Sequence, residues 1–200
     1  GYYWLATMLR TFGHLPWVAA GFLLILHSLQ LGLIWGVWAW LVNRITNTTS
    51  IRLEWSAPIV MVAVEFCMPR IFPAYMGNSQ YLFPPIMQVA DIFGVTAVTF
   101  LIYRFNAVAF LWLRAWREDR PRPVQATWVT VAMIAAALSY GGVRMYQFDQ
   151  RMSDAQKLRM GIVEADVGIF QEEPVERRRD HLLIHQNLSA ALERENVDLI

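Results

Sequence analysis

The sequence holds one cysteine, Cys67, and one lysine, Lys157, in 200 residues. A single cysteine excludes an intrachain disulfide framework and says nothing of redox compartment. Charge is also sparse: 16% of residues are charged, most of them in the last third, and a net charge of +1 gives no electrostatic case for nucleic acid. There is no internal repeat and no low-complexity tract. The chain opens on Gly1 with neither Met nor a signal peptide and closes on the apolar VDLI, so an internal piece of a longer protein is expected. What is abundant is apolar surface: 56% of residues are hydrophobic and nine are Trp. That is a membrane profile followed by a more ordinary soluble one.

Residues 17–42, WVAAGFLLILHSLQLGLIWGVWAWLV, carry no formal charge. At about 1.5 Å per residue they exceed the roughly 30 Å of a hydrocarbon core, so they predict a transmembrane helix. Residues 93–113 predict a second span, interrupted by Arg104 and Asn106, and residues 126–143, continuing to about 146, a third. Between the first two lies APIVMVAVEFC, 11 residues that break at Pro69. It is too short to cross, which predicts a broken or re-entrant element over 57–76.

Basic residues stay on the cytoplasmic side of a membrane. RAWREDRPRP (114–123) has four arginines against one Glu and one Asp, and the 43–56 loop has Arg44 and Arg52 against Glu54. Both are expected to be cytoplasmic. Residues 1–16, 68–92 and everything after about 145 then lie on the opposite face, including Arg10, Arg70, Arg144 and Arg151.

From 161 the pattern changes. GIVEADVGIF is a short β-branched apolar run that predicts a buried strand. PVERRRDHLLIHQNLSAALERE predicts a helix, with Pro174 in its first turn and Ile184, Leu188 and Leu192 on one stripe. VDLI opens another strand. Strand, helix and strand begin an α/β domain that needs further strands to cover both faces. The expected organisation is a membrane-helix domain over 1–146, a linker over 147–160 and an incomplete α/β domain over 161–200.

EFCMPRIFPAYMGNSQ (65–80) holds the most conspicuous pair, Glu65 and Cys67. On a helix, residues two apart point about 200° away from each other and cannot share a hydrogen bond. Apolar surroundings also raise a thiol pKa, so Cys67 is expected to be structural. An ionisable group at membrane depth is expensive, which makes Glu65 either a functional residue or half of an internal ion pair with Arg70 or Arg104. His181 and His185 have the i, i+4 spacing of a zinc helix, but neither the Glu of metalloproteases nor a third ligand accompanies them, so a solvated face is expected. His27, inside the first span with Ser28 and Gln30, predicts interhelical hydrogen bonding. WGVWAW (35–40) predicts an aromatic belt at the cytoplasmic interface. Lys157, in SDAQKLRM, is expected to be exposed and without a catalytic role.

EF (65–66), FP (72–73), GNSQ (77–80) and QVADIFGVTAVTFLIYRFN (88–106) resemble the Glu-aromatic, Phe-Pro-Trp, Gly-x-x-Gln and Gln-x-Ala-Asp-x-x-Gly…Phe-Leu…Asn pattern of the apolipoprotein N-acyltransferase family. YYWLATMLRTFGHLP resembles the extracytoplasmic segment that precedes one of the family's membrane helices, and residues 160–200 resemble the start of its nitrilase-type domain. The sequence departs from the family pattern at Ala74, where the family has Trp, and at Glu164, where it has Gln.

The resemblance implies a polytopic helical bundle of the bacterial inner membrane, followed by the first strand-helix-strand of an αββα-sandwich, nitrilase-like domain on the periplasmic side. It implies ping-pong acyl transfer: a thiolate takes an acyl chain from a phospholipid and passes it to the amino group of a lipidated N-terminal cysteine. A Glu base and an oxyanion-stabilising Lys complete the triad. By the family pattern that Glu falls just beyond Ile200 and the Lys and Cys further on, so no catalytic residue is expected in this chain, which alone would be inactive. The lipid-access residues implied are Glu65, Phe72, Pro73, Tyr75, Gln80, Gln88, Asp91 and Asn106. No metal and no cofactor are implied; the partners are the phospholipid donor, the apolipoprotein N-terminus and the membrane, with the protein a monomer. The competing readings are a non-catalytic scaffold or accessory module of a lipid-linked sugar transferase, and a small transporter, against which the lack of an inverted repeat argues.

Overall fold

The computed structural model describes residues 3–69, 74–164, 175–194 and 197–198. Helices dominate these residues: α1 (Tyr3–Thr11), α2 (Trp17–Thr48), α3 (Leu53–Cys67), a 3₁₀ turn (Met76–Gln80), α4 (Pro84–Met87), α5 (Ala90–Phe93), α6 (Thr96–Glu118), α7 (Val124–Asp154) and α8 (Val175–Glu193). Of these, α2, α6 and α7 are long and apolar enough to cross a membrane. Their outer faces are apolar too: Leu26, Leu29 and Leu33 of α2, Phe105 and Phe110 of α6, and Trp128 and Val131 of α7 are exposed. A helix facing water carries polar residues there, whereas unbroken apolar faces suit lipid. The chain is that of a membrane protein.

All three spans run past their expected C-terminal limits, to Thr48 rather than 42, to Glu118 rather than 113 and to Asp154 rather than 146; α6 begins later than expected, at 96 rather than 93, and α7 earlier, at 124 rather than 126. Residues 147–154, expected as linker, therefore continue α7. Hydropathy marks where lipid ends, but helical hydrogen bonding continues until something stops it. In α2 the polar tail remains helical while Thr46 and Thr48 hydroxyls donate to the carbonyls of Val42 and Arg44, at 2.8 and 2.7 Å. Asp119 ends α6 in the left-handed conformation (φ 49°), with Pro121 and Pro123 following.

The break in the second hydrophobic segment is present at its expected place: α3 ends at Cys67, and Met68 N–H closes on Val64 O at 3.0 Å. Its beginning differs. The helix starts at Leu53 and runs through Pro58, because the carbonyl that Pro58 leaves without its helical donor, Glu54 O, accepts from Arg104 Nη1 at 2.8 Å. With 15 residues α3 rises about 22 Å, short of a full crossing. Residues 70–73 of the broken element lie outside the described residues.

The chain divides into two units, 26–153 and 1–25 with 154–200. In the first, α6 is central. One side packs on α2 and α3 through Ile34, Val60, Met61, Val64, Tyr103 and Ala107; the other packs on α4 and α7 through Ile86, Val98, Leu101 and Ala137. Of the expected aromatic belt, Trp35 and Trp40 are exposed, whereas Trp38 is not. Trp38 turns inward, donates Nε1–H to Ala57 O at 3.0 Å and meets the Tyr103 ring edge-on at 5.4 Å, with Trp35 tilted on the same ring at 6.2 Å. Residues 35, 38 and 42 share one helix face, so the stripe that carries Val42 into the core carries Trp38 with it.

In the second unit the Arg10 guanidinium sits 4.6 Å above the Trp17 ring. Helix α8 forms where its periodicity predicts, and Leu192 packs on Gly161, while Ile184 and Leu188 remain exposed. Among the described residues there is no strand. Met160 is a single bridge position, 161–164 belong to no regular element, and 165–170 and 199–200 lie outside the described residues. Asp198 N–H donates to Arg159 O, and Arg159 N–H to Asp198 Oδ2, both at 2.8 Å. One of these two bonds is accepted by a side chain, so the contact is not a strand ladder.

Candidate functional site

Glu65 is buried (3% exposed) near the end of α3 and accepts the backbone N–H of Met76 on Oε1 at 2.7 Å. That bond fixes the start of the 3₁₀ turn. One residue on, Gly77 N–H donates to Thr99 Oγ1 at 2.9 Å, with Thr99 fully buried on α6. A Cβ at Gly77 would stand 2.3 Å from Val95 O, so only glycine lets the turn lie this close to α6. Glu65 and the Gly of GNSQ thus act together, docking the segment after the broken helix onto the first turn of α6.

Arg104, a possible partner of Glu65, is committed elsewhere. It lies 1% exposed beside Glu54, with its guanidinium 3.7 Å above the Trp55 ring, at the opposite end of α3. Arg70, the other possible partner, is outside the described residues, as are Phe72 and Pro73. Tyr75 is half-buried next to the 3₁₀ turn.

Residues 82–94, expected to be amphipathic, form two single helical turns, α4 and α5, that place Ile86 in the core and leave Leu82, Phe83, Ile92 and Phe93 exposed. Gly94, at φ 71°, turns the chain from α5 into α6. Asp91 is the polar centre of this region: its carboxylate accepts Tyr140 O–H at 2.7 Å and Arg144 Nε–H at 3.0 Å, both from α7. Two charge-assisted bonds from one helix tie α5 to α7. The remaining candidates bond locally: Gln88 Nε2 to Pro84 O at 3.4 Å, Gln80 Nε2 to Ser79 Oγ at 3.2 Å, and Asn106 Nδ2 to Ile102 O at 2.8 Å.

Beneath Asp91 an apolar groove of about 650 Å³ runs between α3, α5, α6 and α7, lined by residues including Val62, Ile92, Phe100, Leu101 and Met133. Tyr140 lines it as well, so the hydroxyl that bonds Asp91 belongs to the groove's rim. A volume within about 300–1,000 Å³, apolar walls and a few polar groups at one end are the features of a site for a small amphiphile. The Tyr140 and Arg144 contribution was not legible in the sequence. Arg144 stood only as the boundary of a span, and its partner is 53 residues away.

The sequence's Glu65/Cys67 pair is separated as helix geometry requires, since Glu65 is buried and Cys67 is exposed. Cys67 therefore differs from the buried structural thiol expected of it: it is the last residue of α3, one turn beyond the buried Val64. His27 is buried on α2, His185 is exposed on α8, and Lys157 is exposed after α7.

The family model described as the apolipoprotein N-acyltransferase N-terminal domain matches residues 1–108. The chain is 33% identical over 150 residues to an apolipoprotein N-acyltransferase of Geobacter metallireducens, covering 72% of this chain and 29% of that protein. It is 22% identical over 171 residues to apolipoprotein N-acyltransferase 2 of Leptospira interrogans, covering 82% of this chain and 29% of that protein. It thus spans less than a third of the length of these curated relatives. No solved structure matches it. The match over 1–108 takes in α1 to α3, the GNSQ turn, the Asp91 segment and the first half of α6, and the chain belongs to the apolipoprotein N-acyltransferase family.

Proposed function

We propose that this chain is the lipid-access part of an apolipoprotein N-acyltransferase, whose full-length form takes an acyl chain from a phospholipid as an enzyme thioester and transfers it to the lipidated N-terminal cysteine of lipoproteins. The Glu-Lys-Cys triad belongs to the nitrilase-type domain that 161–200 begin, on the periplasmic side of the inner membrane. Residues 1–146 carry the membrane helices. The observation that carries this reading is the apolar groove lined in part by Tyr140, whose hydroxyl bonds the same Asp91 carboxylate that Arg144 holds.

An acyl chain in this groove leaves the bilayer without meeting water, and its headgroup phosphate lies at the level of Arg144. Arg144 is paired with Asp91 at 3.0 Å with both side chains more than a third exposed, so the pair is weak and a phosphate can compete for it. Glu65, Tyr75 and Gln80 position the turn before this region, and Gln88 and Asn106 its flanks. The donor phospholipid, the apolipoprotein N-terminus and the bilayer are the partners, and a monomer suffices.

The test fills the groove in the full-length protein. Ala97→Phe and Ala136→Phe place rings among its lining residues. Each is expected to lower kcat/KM for a long-chain phospholipid about tenfold, with a smaller loss for a short-chain donor, because only the long chain needs the occupied volume. Equal rates with both donors in both variants refute the assignment.

A further inference from the structure

A second cavity, of about 800 Å³, lies at the other end of the 26–153 unit, where the 43–56 segment meets the turn between α6 and α7. Its walls are polar, and both segments whose arginines mark them as cytoplasmic, 43–56 and 114–123, contribute to it. Arg52, Arg114 and Arg122 line it against a single carboxylate, Glu54, with Asn43, Asn47 and Gln125 between them. Trp112 Nε1–H donates to Thr127 Oγ1 at 2.8 Å just beside it, fixing α6 to α7 so that the arginines are held on a shared frame.

The carboxylate does not cancel the site. Glu54 is buried, with Arg52 Nε 3.2 Å from its side chain and Arg104 on its backbone oxygen. Arg114 uses Nε toward Glu118 at 3.0 Å. Both contacts are made through Nε, and a guanidinium carries five N–H donors, so neither arginine is exhausted. Arg122 makes no side-chain hydrogen bond among the described residues. Two long helices also begin at the cavity wall: α3 at Leu53, with no side-chain cap from Arg52, and α7 at Val124. Their first-turn N–H groups and positive dipole ends add to the arginines.

We propose that this cavity binds a phosphate-bearing anion, the headgroup of an anionic phospholipid, at the arginine-rich end of the membrane helices, remote from the Asp91 groove. Basic pockets between membrane helices at the end rich in Lys and Arg are suited to such headgroups. The outer faces of α2 and α6 that lead from it are apolar, as the acyl chains of a bound lipid require; Trp40 and Leu113 are both exposed there. A soluble phosphate shares the headgroup's chemistry but gains nothing from those faces.

The test uses the full-length protein in bicelles of zwitterionic phospholipid, doped either with phosphatidylglycerol or, separately, with inorganic phosphate in the aqueous phase. Binding is read as the rise in thermal midpoint with probe concentration. Phosphatidylglycerol is expected to raise the midpoint saturably, with apparent affinity falling about fivefold for each of Arg114→Gln and Arg122→Gln, and falling as salt rises. Asn47→Leu, which fills the cavity without removing charge, is expected to weaken binding as well. A saturable rise with inorganic phosphate of the same size refutes the lipid assignment and makes the site one for a soluble anion. A rise that the three variants leave unchanged refutes the cavity as the site.

Discussion

Arg104 donates from Nη1 to the backbone oxygen of Glu54 at 2.8 Å, the carbonyl that Pro58 leaves without a helical partner. The relation explains two residues that look misplaced in sequence, an arginine within a membrane span and a proline inside a helix. An unsatisfied carbonyl and an unpaired guanidinium are each costly in an apolar surround, and here one satisfies the other. The Trp55 face, 3.7 Å from the guanidinium carbon, completes its enclosure.

Arg104→Ala is expected to destabilise the full-length protein by about 3 kcal/mol, since it removes the donor, the ring contact and a charge beside buried Glu54. In a Pro58→Ala background the N–H at 58 returns to Glu54 O, so the cost of Arg104→Ala should shrink by about 1 kcal/mol. Unfolding free energies of the four variants in bicelles check this. Additive costs would show that the carbonyl is not what Arg104 serves.

Gly77 offers a prediction of comparable size. Its Cα lies where a Cβ would meet Val95 O at 2.3 Å, so Gly77→Ala must push the 3₁₀ turn off α6 and lose the bond to Thr99. A cost of about 2–3 kcal/mol is expected, whereas Thr99→Ser, which keeps the hydroxyl, should cost under about 1 kcal/mol. Thermal midpoints of the two variants decide it, and near-equal midpoints would mean that the hydroxyl bond and the close approach matter little.

The two polar residues of QVAD separate by their partners. Asp91 holds two α7 side chains, while Gln88 reaches only Pro84 O, 3.4 Å away in its own turn. Asp91→Ala is expected to lower acyl transfer by the full-length protein about tenfold, with Arg144→Gln similar, and Gln88→Ala by about threefold or less. Transfer rates at saturating and limiting donor are the measurement. A Gln88 effect equal to that of Asp91 would remove the link between function and the α7 contacts.

The helices were legible because hydropathy and breakers are local signals: uncharged 17–42, Pro69, and the Asp119-Arg-Pro turn each act through their own residues. The extra turns of α2 and α7 were not, since polar residues continue a helix without an apolar pattern to mark them. That α3 begins before Pro58 and runs through it was not legible, because Arg104, which takes up the Glu54 carbonyl, lies 50 positions along the chain and is invisible to periodicity. The site divided in the same way. Glu65 stood out as a carboxylate at membrane depth and Asp91 through the family resemblance, but Tyr140 and Arg144 became part of it only through packing of α5 on α7. Glu65's bond to the Met76 N–H likewise depends on where the 3₁₀ turn docks.

Glu65 and Cys67 give the last test. Glu65 acts here as an acceptor for Met76 N–H, a role that a neutral amide oxygen fills nearly as well. Glu65→Gln keeps an acceptor for that N–H and should hold the turn on α6, while Glu65→Leu leaves the Met76 N–H without that acceptor and costs about 1–3 kcal/mol. Cys67 is exposed at the end of α3, so Cys67→Ser should change neither stability nor acyl transfer, and trapping with a labelled acyl donor should leave Cys67 unlabelled. If Glu65→Gln abolishes transfer while the thermal midpoint holds, the carboxylate has a chemical role beyond the docking of the turn. Acyl label on Cys67 would place the nucleophile in the membrane segment and overturn the division of labour between the helices and the nitrilase-type domain.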